Sequence, residues 1–136
     1  MIVIADASAV GTFLIPDESG AFAEFARLVC RSTPIHVPSI WSAEVANLLR
    51  TAYRRGRIND AEMQDAVAIA EMMLSAVQIE PDPSIGAILD HALQTGLSAY
   101  DASYALLAAR LNAPLLTADG PLRRAAQTLG LKVLTP

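Results

Sequence analysis

The sequence predicts an α/β fold, in which a mostly parallel sheet of four to five strands is flanked by helices. Short, fully apolar runs alternate along the chain with longer segments whose apolar residues have helical spacing. Hydrophobic residues make up 53% of the 136 residues, which is enough for one packed core. We therefore expect a single domain over residues 1–136.

The first half of the chain predicts two strands and four helices. The run from Ile2 has no polar face and stops at Asp6, as a buried parallel strand would. Ser39 is a suitable N-cap for the helix that follows the second strand, and Asn59 with Glu62 forms a capping-box pattern. The predicted elements are a strand over 2–5, helices over 7–14 and 19–31, a strand over 35–37, and helices over 39–55 and from 59 onward.

The second half predicts the remaining strands and helices. Gly96 and Gly130 follow helical segments, which is typical of helix C-termini. Pro114 is tolerated only near the start of its strand. The predicted elements are strands over 77–79 and 113–117, helices over 84–95, 98–111 and 121–129, and a last edge strand over 132–134.

Two of the helices show an apolar stripe that we expect to face inward. The stripes consist of Trp41, Val45, Leu48 and Ala52, and of Met63, Val67, Ala70 and Leu74. Glu44 lies about 60° around the helix from Trp41, at the margin of the first stripe. A Glu that only contacts solvent would be expected on the opposite side.

Several classes of protein are excluded or disfavoured. The single Cys30 excludes an internal disulfide and a cysteine-only zinc site. No apolar run approaches the ~20 residues of a membrane-spanning helix, and the N-terminus does not look like a signal peptide, so we expect a cytoplasmic protein. Neither a P-loop nor a nucleophile elbow is present. His36 and His91 stand apart in sequence and are interpreted as ordinary structural residues.

Four acidic residues stand where an open parallel sheet binds ligands. Asp6 follows the first strand, and Asp119 lies two residues after the strand that ends at Thr117, so both share one edge if the strands are neighbours. Asp101 begins a helix that is otherwise almost entirely apolar, and Glu44 is the fourth acid. Each Asp could alternatively be a helix cap, and Glu44 could form a marginal salt bridge.

Electrostatics favours a cation in such a cluster. Two carboxylates ~5–6 Å apart repel by roughly 3 kcal/mol at an effective dielectric near 20. A cluster of four would raise some pKa values or bind a divalent ion, and hard oxygen ligands select Mg²⁺ or Mn²⁺. The net charge of −4 fits this interpretation, because without the four acids ten acidic residues balance ten basic ones.

Arginines flank the acidic positions. They are Arg50, Arg54, Arg55 and Arg57 near the end of the Glu44 helix, and Arg123 and Arg124 after Asp119. They could contact a nucleic-acid phosphate backbone. The alternative is that they are solvated residues at helix ends.

The acidic segments resemble those of the PIN-domain ribonucleases, and most closely the VapC-type toxins of toxin–antitoxin pairs. The matching segments are IADASA from position 4, PSIWSAEVANLL from 38, LSAYDASY from 97 and LLTAD from 115. They occur in the family's order and cover nearly the whole chain. The resemblance implies a PIN-like three-layer sandwich and a Mg²⁺-dependent endoribonuclease that cleaves RNA with a metal-activated water.

The resemblance also implies roles for individual residues and a set of partners. Asp6 and Asp101 would be the principal metal ligands, with Glu44 and Asp119 completing the acidic pocket. The polar residues Ser8 and Thr117 would line this pocket, and Asn47 would orient Glu44. A homodimer and a cognate antitoxin that blocks the cleft are implied as partners, with no membrane involved.

Two other functions remain open. A receiver domain or aspartyl-phosphate phosphotransferase would need a second acid beside Asp6, where this chain has Ala7 and Ser8. A non-catalytic module that binds metal or protein would have the same acids as simple helix caps. Titration with Mn²⁺ separates the nuclease from a module whose acids only cap helices, because such a module binds no metal at millimolar concentration.

Overall fold

The computed structural model describes residues 1–136 and contains four strands that are all parallel. The strands are β1 (Val3–Ala5), β2 (Ile35–Val37), β3 (Gln78–Ile79) and β4 (Leu115–Leu116). The helices are α1 (Ala7–Leu14), α2 (Ala21–Ser32), α3 (Trp41–Arg54), α4 (Asp60–Ala76), α5 (Ile85–Thr95), α6 (Ala99–Leu111) and α7 (Gly120–Thr128), and a 3₁₀ turn covers Pro16–Glu18. The predicted α/β class is confirmed.

The strand order β3-β2-β1-β4 places the first strand at the centre of the sheet. The chain extends the sheet to one side of β1 and then returns to the other side with β4, so a topological switch point lies between these two strands. Ile4 pairs with Leu115 and Ala5 with Leu116. The carboxyl ends of β1 and β4 are therefore neighbours, as the predicted common edge for Asp6 and Asp119 requires.

Helices cover the sheet to form three layers. The apolar residues of β1 are fully buried, as expected for a parallel strand covered on both faces. Helix α6 packs on β1 and β4 and also contacts α5 and α7, while α1 contacts α2 and α3. The sequence of α6 is almost continuously apolar because other elements of the fold enclose this helix. None of the helices combines the length and the apolar character needed to cross a bilayer.

Most predicted helix boundaries are confirmed by their caps. Asn59 and Glu62 form both hydrogen bonds of the capping box at the start of α4. Ser84 and Ser98 accept hydrogen bonds from backbone N–H groups in the first turns of α5 and α6. Gly96 ends α5 with φ = 74°, in the left-handed region that glycine adopts most easily.

Two predictions about boundaries were wrong. Ser39 does not cap α3, because its hydroxyl donates to Asp82 at 2.6 Å. The helix begins at Trp41, and Ile40 occupies the N-cap position. Residues 132–134 do not form a strand, because only Val133 pairs with Leu115. The neighbouring strand β4 has only two residues and offers little backbone for a fifth strand to pair with.

The predicted inward stripes were partly wrong. In α3, Leu49 is buried and Leu48 is only partly covered. In α4, Ala66 and Ala70 are buried, whereas Val67 and Leu74 are exposed. The physical reason is that α4 packs closely through its small alanine residues. The spacing of apolar side chains in the sequence does not predict such packing.

Candidate active site

All four predicted acids line one cavity of about 650 Å³ beyond the carboxyl ends of β1 and β4. Asp6 enters it directly after β1, Glu44 from the first turn of α3 and Asp101 from the first turn of α6. Asp119 enters it from the N-cap of α7. Four segments far apart in the chain thus place carboxylates in one space.

Asp6 is the most deeply buried of the acids, at 3% exposure. Its Oδ1 accepts hydrogen bonds from the Ser8 hydroxyl at 2.7 Å and from the Ala9 backbone N–H at 2.9 Å. Its Oδ2 accepts from the Thr117 hydroxyl at 2.5 Å. Asp6 is therefore both the N-cap of α1 and a wall of the cavity, so the two sequence interpretations are compatible.

Ser8 and Thr117 connect Asp6 to the loop after β4. The Ser8 hydroxyl accepts from the Ala118 backbone N–H at 3.0 Å, and the Thr117 hydroxyl accepts from that of Asp119 at 3.0 Å. Thr117 is fully buried, and the two hydroxyl oxygens are 3.2 Å apart. These contacts fix the geometry of Asp6 relative to the turn that carries Asp119.

Asp119 and Asp101 differ in how their carboxylates are used. Asp119 Oδ2 accepts from the Leu122 backbone N–H at 2.9 Å and so caps α7. The Asp101 backbone N–H donates to the Ser98 hydroxyl at 3.1 Å, but the Asp101 carboxylate does not return to Ser98. Only half of a capping box forms there, which leaves the Asp101 carboxylate available to the cavity.

Glu44 has a partner that sequence reasoning did not identify. The hydroxyl of Tyr104 donates to Glu44 Oε1 at 2.6 Å. Tyr104 lies three residues after Asp101 on α6, a spacing that places two side chains on the same helix face. That spacing was the available signal for Tyr104, although it does not predict which acid the hydroxyl contacts.

Burial raises the pKa of Asp6 from 3.8 to about 6. The hydrogen bonds from Thr117, Ser8 and Ala9 oppose this shift because they favour the charged carboxylate, and the charge of Asp101 adds slightly to it. The predicted rise of pKa values in the cluster is confirmed, but burial rather than repulsion between the acids is its main cause.

The pKa of Asp101 is also raised, to about 6, first by burial and then by the charges of Asp119 and Glu44. Burial raises the pKa of Glu44 too, against the lowering effect of the Tyr104 hydrogen bond. The cavity thus holds carboxylates whose charges are costly, and a bound cation would relieve that cost.

The donor chemistry of the cavity fits Mg²⁺ or Mn²⁺. The four carboxylates are hard oxygen ligands, and neither histidine lines the cavity. His36 instead contacts Glu80 at 2.6 Å elsewhere in the fold. No three acidic, histidine or cysteine side chains lie close enough together to coordinate one ion in this structure. The carboxylates of Asp6, Glu44 and Asp119 are hydrogen-bonded to protein donors instead.

The other predicted residues occupy different places. Asn47 lines the cavity one turn after Glu44, without a hydrogen bond to it, and Arg57 lines the side where the 3₁₀ turn lies. The Arg57 guanidinium donates two hydrogen bonds to Asp17, at 2.9 and 2.7 Å. Arg123 is half-buried and donates to the Thr117 carbonyl at 3.1 Å. The remaining predicted arginines are exposed and lie outside the cavity lining: Arg50, Arg54, Arg55 and Arg124.

Comparisons with known proteins agree with this architecture. The model of the PIN domain family matches residues 3–127. The chain is 30% identical over 123 residues to Ribonuclease VapC3 of Pyrobaculum aerophilum, which covers 88% of this chain and 90% of that protein. It is 31% identical over 120 residues to Ribonuclease VapC9 of Mycobacterium tuberculosis, covering 87% and 86% of the two chains.

Solved structures share the fold over almost the full length. The crystal structure of PAE2754 from Pyrobaculum aerophilum is 25% identical, with a TM-score of 0.71 and 95% of each chain covered. That of VapC20 from Mycobacterium tuberculosis, described as a toxin that cleaves the sarcin-ricin loop, is 16% identical with a TM-score of 0.66, covering 98% of this chain and 99% of that one. The chain therefore belongs to the PIN-domain family and is related to its VapC ribonucleases.

Proposed function

We propose that this chain is a Mg²⁺- or Mn²⁺-dependent endoribonuclease. The observation that carries the proposal is the convergence of Asp6, Glu44, Asp101 and Asp119 on one cavity at the switch point of the sheet. Curated relatives at 30% and 31% identity are ribonucleases, which supports the same activity.

Each acidic side chain has a proposed role. Asp6 and Asp101 are the principal metal ligands, and Glu44 and Asp119 complete the acidic pocket directly or through water. An ion held by these residues would lower the pKa of a bound water and neutralise phosphate oxygens. Ser8 and Thr117 hold the Asp6 carboxylate in place through their hydrogen bonds. Asn47 lines the cavity one turn after Glu44, but the hydrogen bond to Glu44 comes from Tyr104.

RNA binding is assigned to exposed arginines that lie outside the cavity lining. Arg50, Arg54 and Arg55 follow Glu44 on α3 and its end, and Arg124 lies on α7. The half-buried Arg123 contributes less directly, because its guanidinium contacts the Thr117 carbonyl and lies 6.0 Å from the Phe22 ring centre.

The proposed partners are a second copy of the chain and an antitoxin protein that blocks the cavity. Solved structures with the same fold include VapBC2 from Rickettsia felis bound to a promoter DNA fragment and FitAcB from Neisseria gonorrhoeae. Large apolar side chains on α5, such as Ile85 and Leu93, are exposed and offer surface for association. We accordingly assign the chain to the toxin side of a toxin–antitoxin pair.

RNA cleavage by the purified chain tests the proposed activity. We expect RNA to be cut in the presence of Mg²⁺ or Mn²⁺, and the reaction to stop when EDTA removes the ion. Sequencing the RNA ends after brief expression in a host identifies the target. Cleavage that persists in EDTA would contradict the metal-dependent reaction.

One observation favours a second candidate, a non-catalytic module of the same fold. Asp6 and Asp119 both cap helices, and no three acids already lie at metal-binding distance. Calorimetric titration with Mn²⁺ discriminates between the two candidates. The nuclease binds the ion at millimolar concentration or below, whereas a module whose acids only cap helices does not.

A further inference from the structure

Tyr104 connects segments that carry the acidic side chains. It lies on α6 one turn after Asp101, lines the same cavity and is only 1% exposed. Its hydroxyl crosses from α6 to α3 to donate to Glu44 Oε1 at 2.6 Å. One buried phenol on the helix of Asp101 is therefore hydrogen-bonded to the helix that carries Glu44.

This contact constrains the orientation of Glu44. A Glu side chain has several rotatable bonds and is otherwise free to turn toward solvent at the margin of α3. The donated hydrogen bond holds Oε1 against Tyr104, which leaves Oε2 as the oxygen with room to serve the cavity.

We propose that Tyr104 is a positioning residue, which orients the Glu44 carboxylate for the divalent ion through the hydrogen bond between α6 and α3. The inference rests on the proposed function, because it gives Glu44 a role in binding the ion. Residues that orient a metal ligand in this way change affinity or activity by about 10- to 100-fold when they are lost.

A purely structural role for Tyr104 predicts a different result. Its ring is among the largest fully buried side chains, so it contributes to the core whatever its hydroxyl does. Tyr104→Phe keeps the ring and removes only the hydroxyl. Tyr53→Phe is the matched control, because the Tyr53 hydroxyl also donates to a carboxylate at 2.6 Å, that of Asp60, but lies outside the cavity lining.

The experiment is a double-mutant cycle read out by Mn²⁺ binding in a calorimeter. The variants are Tyr104→Phe, Glu44→Ala and their combination. We expect Tyr104→Phe to weaken Mn²⁺ binding by about 10-fold in the wild-type background. In the Glu44→Ala background the same change has no effect, because its target is missing. Tyr53→Phe binds Mn²⁺ like the wild type.

A second variant keeps the test decisive if Tyr104→Phe does not fold. Glu44→Asp lies on the partly exposed side of α3 and shortens the carboxylate by one methylene, so it breaks the contact while Tyr104 is intact. We expect it to weaken Mn²⁺ binding to a similar extent. In RNA cleavage, both single variants lower kcat and leave KM for RNA nearly unchanged.

The outcomes separate this inference from the proposed function. Wild-type affinity for Mn²⁺ in folded Tyr104→Phe overturns the positioning role while leaving the metal-dependent nuclease intact. An equal loss of affinity in both backgrounds also overturns it, because Tyr104 would then act through a residue other than Glu44. If the wild-type chain itself binds no Mn²⁺, both the positioning role and the proposed function are wrong.

Discussion

At the scale of single residues, the most deeply buried carboxylate of the site, that of Asp6, is well supplied with hydrogen-bond donors. Asp6 is enclosed almost completely, yet three hydrogen bonds converge on it. A buried carboxylate without such donors would be neutral at physiological pH. The balance between burial and donors leaves Asp6 with a pKa of about 6, close enough to neutrality for a metal to displace the proton.

Removal of the Thr117 hydroxyl tests this balance. Thr117→Val keeps the shape but removes the strongest hydrogen bond that lowers the pKa of Asp6, so we expect this pKa to rise above its present value of about 6. The loss should also cost roughly 1.5–3 kcal/mol of stability, as for hydrogen bonds to charged groups. Carboxyl NMR titration measures the pKa, with Thr95→Val as a control on α5. An unchanged or lower pKa for Asp6 would contradict the balance described above.

Asp101 tests the proposed chemistry most directly among the single residues. Asp101→Asn removes the charge and preserves the size, and we expect RNA cleavage to fall by more than about 100-fold, the upper range for residues that only support a ligand. The fold should persist, because the Asp101 carboxylate does not complete the capping box of α6. Gel assays with Mg²⁺ and far-UV circular dichroism measure the two properties. A folded variant with wild-type activity would remove Asp101 from the site.

At the scale of elements, the position of the cavity depends on how closely α1 approaches α3. Gly11 of α1 has no side chain, and a Cβ placed there would lie 2.8 Å from the ends of the Leu48 side chain. Leu48 also lines the cavity, one turn after Glu44. The small residue in α1 therefore lets the helix that carries Glu44 approach the helix capped by Asp6.

A pair of glycine substitutions measures this contact. Gly86 of α5 has open space around its Cβ position, so Gly86→Ala should stabilise the protein by up to ~1 kcal/mol through helix propensity. Gly11→Ala has the same propensity gain but must displace Leu48, and overpacking of this kind typically costs ~1–3 kcal/mol. Denaturant unfolding compares the two variants. Equal stabilisation by both would show that the approach of α1 to α3 is not tight.

The elements were largely predictable because their signals are local. Proline, glycine and capping residues such as Asn59, Ser84 and Ser98 mark where helices begin and end. The errors arose where distant residues decide the outcome. Asp82 takes the Ser39 hydroxyl from its predicted cap, and the packing of α4 through Ala66 and Ala70 is a tertiary effect.

At the scale of the whole molecule, the sequence predicted which acids come together in one cavity but not which side chains hold them. Their positions after strands and at helix starts indicated one shared edge, because parallel strands present their carboxyl ends together. The contacts of Thr117 with Asp6 and of Tyr104 with Glu44 join residues 111 and 60 positions apart. No periodicity or spacing within a single element reveals such pairs.

The acidic cavity should also make stability depend on pH and metal. The pKa values of Asp6 and Asp101 are each raised from 3.8 to about 6, so the folded state binds protons more tightly than the unfolded state. The contribution of these groups to stability is greatest below pH 4 and declines as the pH rises to about 6. Above that range, we expect Asp101→Asn to be more stable than the wild type in EDTA.

Addition of Mn²⁺ at pH 7.5 should make the wild type more stable than Asp101→Asn. A ligand at 100 times its dissociation constant stabilises the folded state by about 2.7 kcal/mol, provided that it binds only the folded form. Thermal unfolding with and without the ion measures the shift, which should be large for the wild type and small for Asp101→Asn. Equal shifts in both proteins would place the ion elsewhere.

The most direct measurement of the central claim is anomalous diffraction from crystals of the protein soaked in MnCl₂. The account predicts a manganese peak in the cavity, within about 2.5 Å of carboxylate oxygens of Asp6 and Asp101. A cavity without manganese at saturating concentration, or a peak bound only by other residues, would contradict it.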